Sequence, residues 1–273
     1  MGATTGIQWC DATWNPWIGC HKVSQGCLRC YMFRNLRQYK HDPTIVVRSK
    51  TTFGDPLRWA KTSKVGSGSR IFTCSWSDWF ISEADEWRDE AWSIIRQTPQ
   101  FNYLILTKRP ERMKQCLPAD WGMGYENVWL GVSVERQTEA DARIPILMNT
   151  PAKIRFVSAE PLLAPIDFWK FSRHEGGFGP DIDYRGTYAF AVIAGFPAGP
   201  QEMAPGLSWI ITGGESDSKA PRPCDLEWLR SIRDQCQDAG VAFFHKQNGG
   251  SRKVDGAWGG RVLDGRTWDE FPK

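Results

Sequence analysis

The sequence predicts an α/β fold: a complete or partial (β/α) barrel of about six to seven parallel strands, TIM-barrel-like. Three observations carry that expectation: short β-rich runs recur, helical patterns lie between them, and each run ends in polar or glycine residues. A chain of 273 residues has room for one such domain. An open doubly wound sheet is the alternative built from the same units.

The first strand is expected near Ile7 to Thr13. It is followed by "RIFTCSW" (70–76), "NYLILTK" (102–108), "NVWLGVSVE" (127–135), "KIRFVSAEP" (153–161), "SWIITGGES" (208–216) and "VAFFHKQ" (241–247), most of them too short for helices. Between them, "SEADEWRDEAWSIIRQ" reads as a helix with a Ser cap, early acids, and Trp87, Ala91, Ile94 and Ile95 on one face. "PERMKQCL" and "ERQTEADARIPILMN" are the next two helices. In "CDLEWLRSIRDQCQDAG" the residues Leu226, Leu229, Ile232 and Cys236 share a side, and Gly240 closes the helix. Alternation of strand and helix implies right-handed βαβ units. The Gly/Pro-rich segment at about 162–207 interrupts this rhythm and reads as an insertion in a single domain spanning 1–273, with one strand of its own at "YAFAVIAG". A C-terminal extension at about 248–273 carries turns and a short hairpin, with an Asp-Gly turn in "RVLDGRTW".

A hydrophobic share of 41%, with 15 Trp and 14 Phe, excludes a disordered chain, and no unbroken apolar run is long enough to span a membrane. The N-terminal "MGATTGIQWCDATW" has no basic region followed by an apolar segment, so a cytoplasmic protein is expected. Net charge is +3, but residues 21–70 hold eleven Lys or Arg against Asp42 and Asp55, which leaves −6 for the remainder. A basic block with Tyr31, Phe33, Tyr39, Phe53 and Trp59 among it suits a polyanion, since phosphates release counterions and bases stack on rings. A solvated surface balanced by the acidic remainder accounts for it equally well.

In a parallel sheet of this kind, functional side chains follow the strands. Those positions hold Ser75, Ser77 and Asp78; Thr107, Lys108 and Arg109; Ser133 and Glu135; Ser158 and Glu160; Gly213, Gly214 and Glu215; Lys246 and Gln247. Hydrogen bonds and ion pairs closing the end of the sheet are the competing explanation.

Eight cysteines in a reducing compartment remain thiols, and clustered ones point to a metal more than to a disulfide. Cys20, Cys27 and Cys30 form a C-x6-C-x2-C set on a loop containing Gly19 and Gly26. Thiolates gathered on such a loop bind thiophilic metals. Zinc requires four ligands, with His21 or Cys10 as the fourth. A [4Fe–4S] cluster held by three cysteines leaves one iron open to a substrate or cofactor.

The run "CLRCYM", with a third cysteine upstream and the set placed after the first strand, resembles the radical S-adenosylmethionine (SAM) enzymes. The first gap is six residues, where three are usual in that superfamily. More widely, "TWNPWIGCHKVSQGCLRCY", "TCSWSDWF", "LILTKRPERM", "VWLGVSVE", "RFVSAEPLL", "WIITGGES" and "FFHKQNGG" together resemble a family of phage-type proteins of unknown function with a radical-SAM-like cysteine motif. This likeness extends from about Trp9 to Gly250.

The resemblance implies a [4Fe–4S] cluster on Cys20, Cys27 and Cys30 that delivers an electron to SAM. The 5′-deoxyadenosyl radical so released takes a hydrogen atom from the substrate. It further implies Tyr31 against the adenine or cluster, Ser75, Ser133 and Glu160 on ribose hydroxyls, Lys108 or Arg109 on the carboxylate, and Glu215 on the ammonium. Glu135, Gly213, Gly214 and Lys246 are expected around the same cofactor, and Cys74 is a candidate hydrogen-atom donor. The implied partners are a one-electron donor such as flavodoxin or ferredoxin and, through residues 21–70, a nucleic-acid substrate for modification or repair, in the host-cell cytoplasm if phage-encoded. A non-catalytic zinc- or cluster-stabilised nucleic-acid-binding protein is the alternative.

Overall fold

A computed structural model of the chain describes residues 2–169, 206–217 and 219–273. They divide into two compact units, Met1–Val132 and Ser133–Lys273. The first contains β1 (Ala12–Trp14), β2 (Trp17–Ile18), α1 (Tyr31–Gln38), β3 (Val47–Arg48), α2 (Asp55–Thr62), β4 (Arg70–Thr73), α3 (Asp85–Gln97), β5 (Asn102–Thr107), α4 (Met113–Cys116) and β6 (Val128–Ser133). Strands β1, β4, β5 and β6 are neighbours in that order and parallel. They are buried along nearly their whole length, as parallel strands covered on both faces must be.

Tryptophan dominates this unit's core. Trp14, Trp17, Trp79, Trp92 and Tyr103 are fully buried, and neighbouring rings lie 5.0–5.8 Å apart in tilted or edge-on contacts. Burial of each ring contributes on the order of 2–3 kcal/mol. The indoles of Trp14 and Trp17 also donate outward, to the carbonyls of Phe53 and Asp78. That ties the end of the sheet to the segments following β1 and β4. The antiparallel pair β2–β3 departs from the parallel pattern and sets where the next loop begins. Gly19 follows it at φ +98°, where a Cβ would lie 2.3 Å from the Ile45 carbonyl oxygen, so only glycine fits.

The second unit contains α5 (Gln137–Met148), β7 (Ile154–Ala159), β8 (Leu207–Gly213), α6 (Leu226–Ala239), β9 (Ala242–Gln247), β10 (Lys253–Val254) and β11 (Ala257–Trp258). Strands β7, β8 and β9 are parallel and again follow chain order. Neither unit has the reversal of strand order that marks a doubly wound sheet. Asp225 caps α6 by accepting from the Glu227 N–H at 2.9 Å, and Gly240 ends it in the left-handed conformation. Phe156, Trp209, Phe244 and Phe271 form the aromatic core.

All seven expected strands are present, although the first begins only at Ala12. Three details differ. Ser82 opens a 3-10 turn, so α3 starts at Asp85 and has no side-chain cap. Leu226, expected on the buried side of α6, is exposed. The Asp264–Gly265 turn closes a single bridge between Leu263 and Arg266, whereas the hairpin proper, β10–β11, turns at Asp255–Gly256. The strand expected at "YAFAVIAG" and most of the insertion lie outside the described residues. Among those described, no helix is long and apolar enough to cross a membrane.

Candidate functional site

The loop carrying the three cysteines sits at the carboxyl ends of β1 and β4. Its entry is pinned by backbone bonds from Gly19 N to the Trp76 carbonyl (3.0 Å) and from Cys20 N to the Pro43 carbonyl (2.9 Å), and by Ser77 Oγ donating to the Gly19 carbonyl. A 3-10 turn, Gln25–Cys27, follows, and Cys30 is the N-cap of α1. Met32, Phe33 and Leu36 of that helix form a small apolar cluster against which Cys20, Cys30 and Trp76 all pack. Amphipathic α1 therefore draws the first and last cysteines to one place. Cys27 lies close enough to influence both electrostatically.

Burial pushes the Cys20 thiol up to about 12, opposed by the Arg109 guanidinium. Burial raises Cys30 as well, opposed by the backbone N–H groups of Met32 and Phe33 and more weakly by Lys108. Without a metal, both are protonated thiols. Among the described residues no three His, Cys, Asp or Glu side chains stand close enough to hold a metal ion as they are. The donor set nevertheless suits a thiophilic metal: three thiols on one short loop, two cations beside them, and the dry face of α1 behind. Metal binding would deprotonate the thiols and draw the loop together in one step.

Around the loop, the residues after β4 and β5 form a hydrogen-bonded frame. Asp78 is its hub, accepting from Phe80 N (2.9 Å), Thr107 Oγ1 (2.6 Å) and Lys108 N (2.9 Å) and pairing with Arg109 at 3.3 Å. Asn15 joins β1 to the same frame through Ser75 Oγ and Trp76 N. The Tyr31 hydroxyl donates to the Ser75 carbonyl at 2.6 Å. Cys74 is buried at φ +55°, a conformation unfavourable for a residue with a Cβ, and it lies near Cys20. Of the two candidate fourth zinc ligands, His21 Nε2 meets Glu83 at 2.5 Å, and Cys10 precedes β1, at the opposite end of that strand from the loop.

In the second unit the expected residues fall into three groups. Glu135 is 0% exposed and pairs with Arg143 at 3.2 Å, and Arg143 also donates to the Ser133 carbonyl at 2.7 Å. Glu215 is buried and takes a fork from Arg222, with Arg222 N and Nε at 2.9 and 3.0 Å. Glu160 accepts from Ser158 Oγ (3.1 Å) and pairs with Lys246 (2.9 Å). It can do so because Gly213 has no side chain, as a Cβ there would lie 2.7 Å from Glu160 Oε1. Gly214 lies against the Asn248 and Gly249 backbone, joining the ends of β8 and β9. Glu160 with Lys246 is thus a partly buried ion pair at the strand ends, while Glu135 and Glu215 are more deeply buried and matched by Arg143 and Arg222.

His245, which the sequence did not single out, is 0% exposed and held on both nitrogens, by Thr212 Oγ1 at 3.0 Å and Asn248 Oδ1 at 2.9 Å. Burial pushes it below its ordinary 6.5 despite the Asn248 bond. Below that value the unfolded chain takes up a proton that the folded one refuses, so stability falls as pH drops from about 7 through 6.5 and below. Thermal melts between pH 7.5 and 5 should show this decline, and His245→Gln should flatten it; an equal decline in the variant would assign the effect to other groups.

Fold and site together define a parallel α/β protein with a thiol loop at the carboxyl ends of its strands. The chain belongs to the family described as Protein of unknown function (DUF5131), whose model matches residues 4–272. No curated protein matches the chain, nor does any solved structure.

Proposed function

We propose that the protein is a radical-SAM-like enzyme on a partial (β/α) barrel, with Cys20, Cys27 and Cys30 holding a [4Fe–4S] cluster. One observation carries this reading: three thiols share one loop at the carboxyl ends of parallel strands, where such folds place their chemistry, with Arg109 and Lys108 beside them. When bound, a cluster of this kind supplies an electron to the sulfonium of SAM, whose 5′-deoxyadenosyl fragment removes a hydrogen atom from the substrate.

The chain's own residues position and shield. Met32, Phe33 and Leu36 back Cys20 and Cys30 with an apolar surface. Lys108 supplies a cation for an anionic group, and the Ser75 hydroxyl and the Tyr31 ring supply polar and stacking contacts. On the segment that carries the loop, Lys22, Arg37, Lys40 and Lys50 are exposed, as is Tyr39, at 66%; Lys61 and Lys64 are exposed too, but at the end of α2 and between α2 and the start of β4. This surface favours a single-stranded nucleic acid as substrate, with phosphates on the cations and bases on the ring. A one-electron donor such as flavodoxin or ferredoxin completes the reaction.

The test is anaerobic reconstitution with iron and sulfide, reduction in the presence of SAM, and assay for 5′-deoxyadenosine with and without a single-stranded oligonucleotide. Formation of 5′-deoxyadenosine that rises with the oligonucleotide is expected. Its absence in both arms, in a protein carrying only zinc, would overturn the enzyme reading and leave a metal-stapled binding protein.

A further inference from the structure

Arg109 joins the rigid end of the sheet to the thiol loop. It lies two residues past the end of β5 and is 8% exposed. Its Nη1 meets Asp78 at 3.3 Å and donates to Cys20 Sγ at 3.6 Å, while its Nη2 donates to the His21 carbonyl at 2.8 Å. Asp78 cannot follow a moving arginine, because Phe80 N, Thr107 Oγ1 and Lys108 N hold both of its oxygens. One planar guanidinium fork thus meets a fixed carboxylate and the first cysteine of the loop through the same Nη1, and the carbonyl of the next loop residue through Nη2. Such a fork suits guanidinium and not an ammonium.

We infer that Arg109 is the positioning residue of the thiol loop: it fixes Cys20 at the end of the sheet, and it donates an N–H to the Cys20 sulfur in the metal-bound state. The second half rests on the proposal that the loop holds a metal; the first does not. A neutral thiol is a weak acceptor and a thiolate a strong one, so the Arg109–Cys20 contact strengthens when metal displaces the proton. The residue therefore favours the loaded loop over the empty one, and partners of ligand side chains commonly change metal affinity 10- to 100-fold when removed. This use of the guanidinium differs from the SAM-carboxylate role expected of it, since its charge is already matched by Asp78.

The experiment compares the wild type with Arg109→Gln and Arg109→Lys by anaerobic titration with Co(II), read as sulfur-to-cobalt charge-transfer absorption. Amide hydrogen exchange of the metal-free proteins is measured in parallel. Arg109→Gln should bind Co(II) about 10- to 100-fold more weakly, with a shifted charge-transfer band. It should also speed exchange at residues 20–23 while β4 and β5 stay protected. Arg109→Lys, which keeps the charge but not the fork, should recover part of the affinity and guards against a misfolded Gln variant. Unchanged affinity and spectrum in Arg109→Gln would overturn the proposal. If the wild type itself takes up no cobalt at its thiols, the metal reading fails and exchange alone decides: unaccelerated loop exchange in Arg109→Gln then overturns the positioning role as well.

Discussion

On the proposed reading, Cys27→Ala will leave the reconstituted protein colourless, with bound iron reduced by about tenfold or more relative to wild type. If three thiolates hold a cluster as proposed, two cannot retain it, and the remaining ones gain nothing from the fold. Burial already pushes Cys20 up to about 12 and raises Cys30, so each prefers to stay protonated unless a metal compensates. Cys27 itself is buried at the last position of the 3-10 turn, where the smaller alanine fits without a clash. The variant should therefore melt close to the metal-free wild type. Iron analysis, visible absorption and a thermal melt check the three parts of the expectation. Iron retained at the wild-type level would place the cluster elsewhere, or show that the metal is adventitious.

Arg143→Met will destabilise the second unit by about 3–5 kcal/mol. It removes the cation facing Glu135, a carboxylate with no access to water, and it also deprives the Ser133 carbonyl of a donor. Breaking one side of a buried pair costs far more than the pair contributes, because the remaining charge has lost its counterion without regaining solvent. The double variant Glu135→Leu/Arg143→Met should recover most of the loss, since an apolar pair of similar volume avoids both desolvation penalties. Urea unfolding followed by circular dichroism checks both. A loss below about 1 kcal/mol in Arg143→Met would mean that Glu135 is not committed to the fold and is available for a ligand.

The strands were legible because each is a run of β-branched and aromatic residues closed by polar or glycine residues, a signal that needs no knowledge of distant partners. α3, α5 and α6 were legible for the same local reason. By contrast, α1 has a cysteine at its N-cap and only eight residues, and α2 is equally short; neither repeats its apolar face often enough to stand out. Asp55–Pro56 at the start of α2 was the one usable sign, with proline tolerated in the first turn of a helix. The pair β2–β3 has two residues per strand and was invisible.

At the site, spacing revealed the thiols and strand ends supplied the polar residues, but which of them face a ligand and which face one another depends on contacts far apart in sequence. Arg222 occupies Glu215 from a loop seven residues on, Arg143 occupies Glu135 from the next helix, and Asp78 occupies Arg109 from the preceding strand end. None of these pairings leaves a sequence signature. Residues that look alike at strand ends thus differ in how far the fold already uses them, and the proposal assigns Ser75 and Lys108 to a cofactor in addition to their contacts with Asn15 and Asp78.

The most direct test of the central claim is Mössbauer spectroscopy of protein reconstituted anaerobically with iron-57 and sulfide, before and after addition of SAM. The proposal predicts a [4Fe–4S] cluster in which one iron site changes its spectrum when SAM is added, as expected for an iron with no cysteine ligand. Iron absent or nonspecific, with zinc at the thiols, would contradict it.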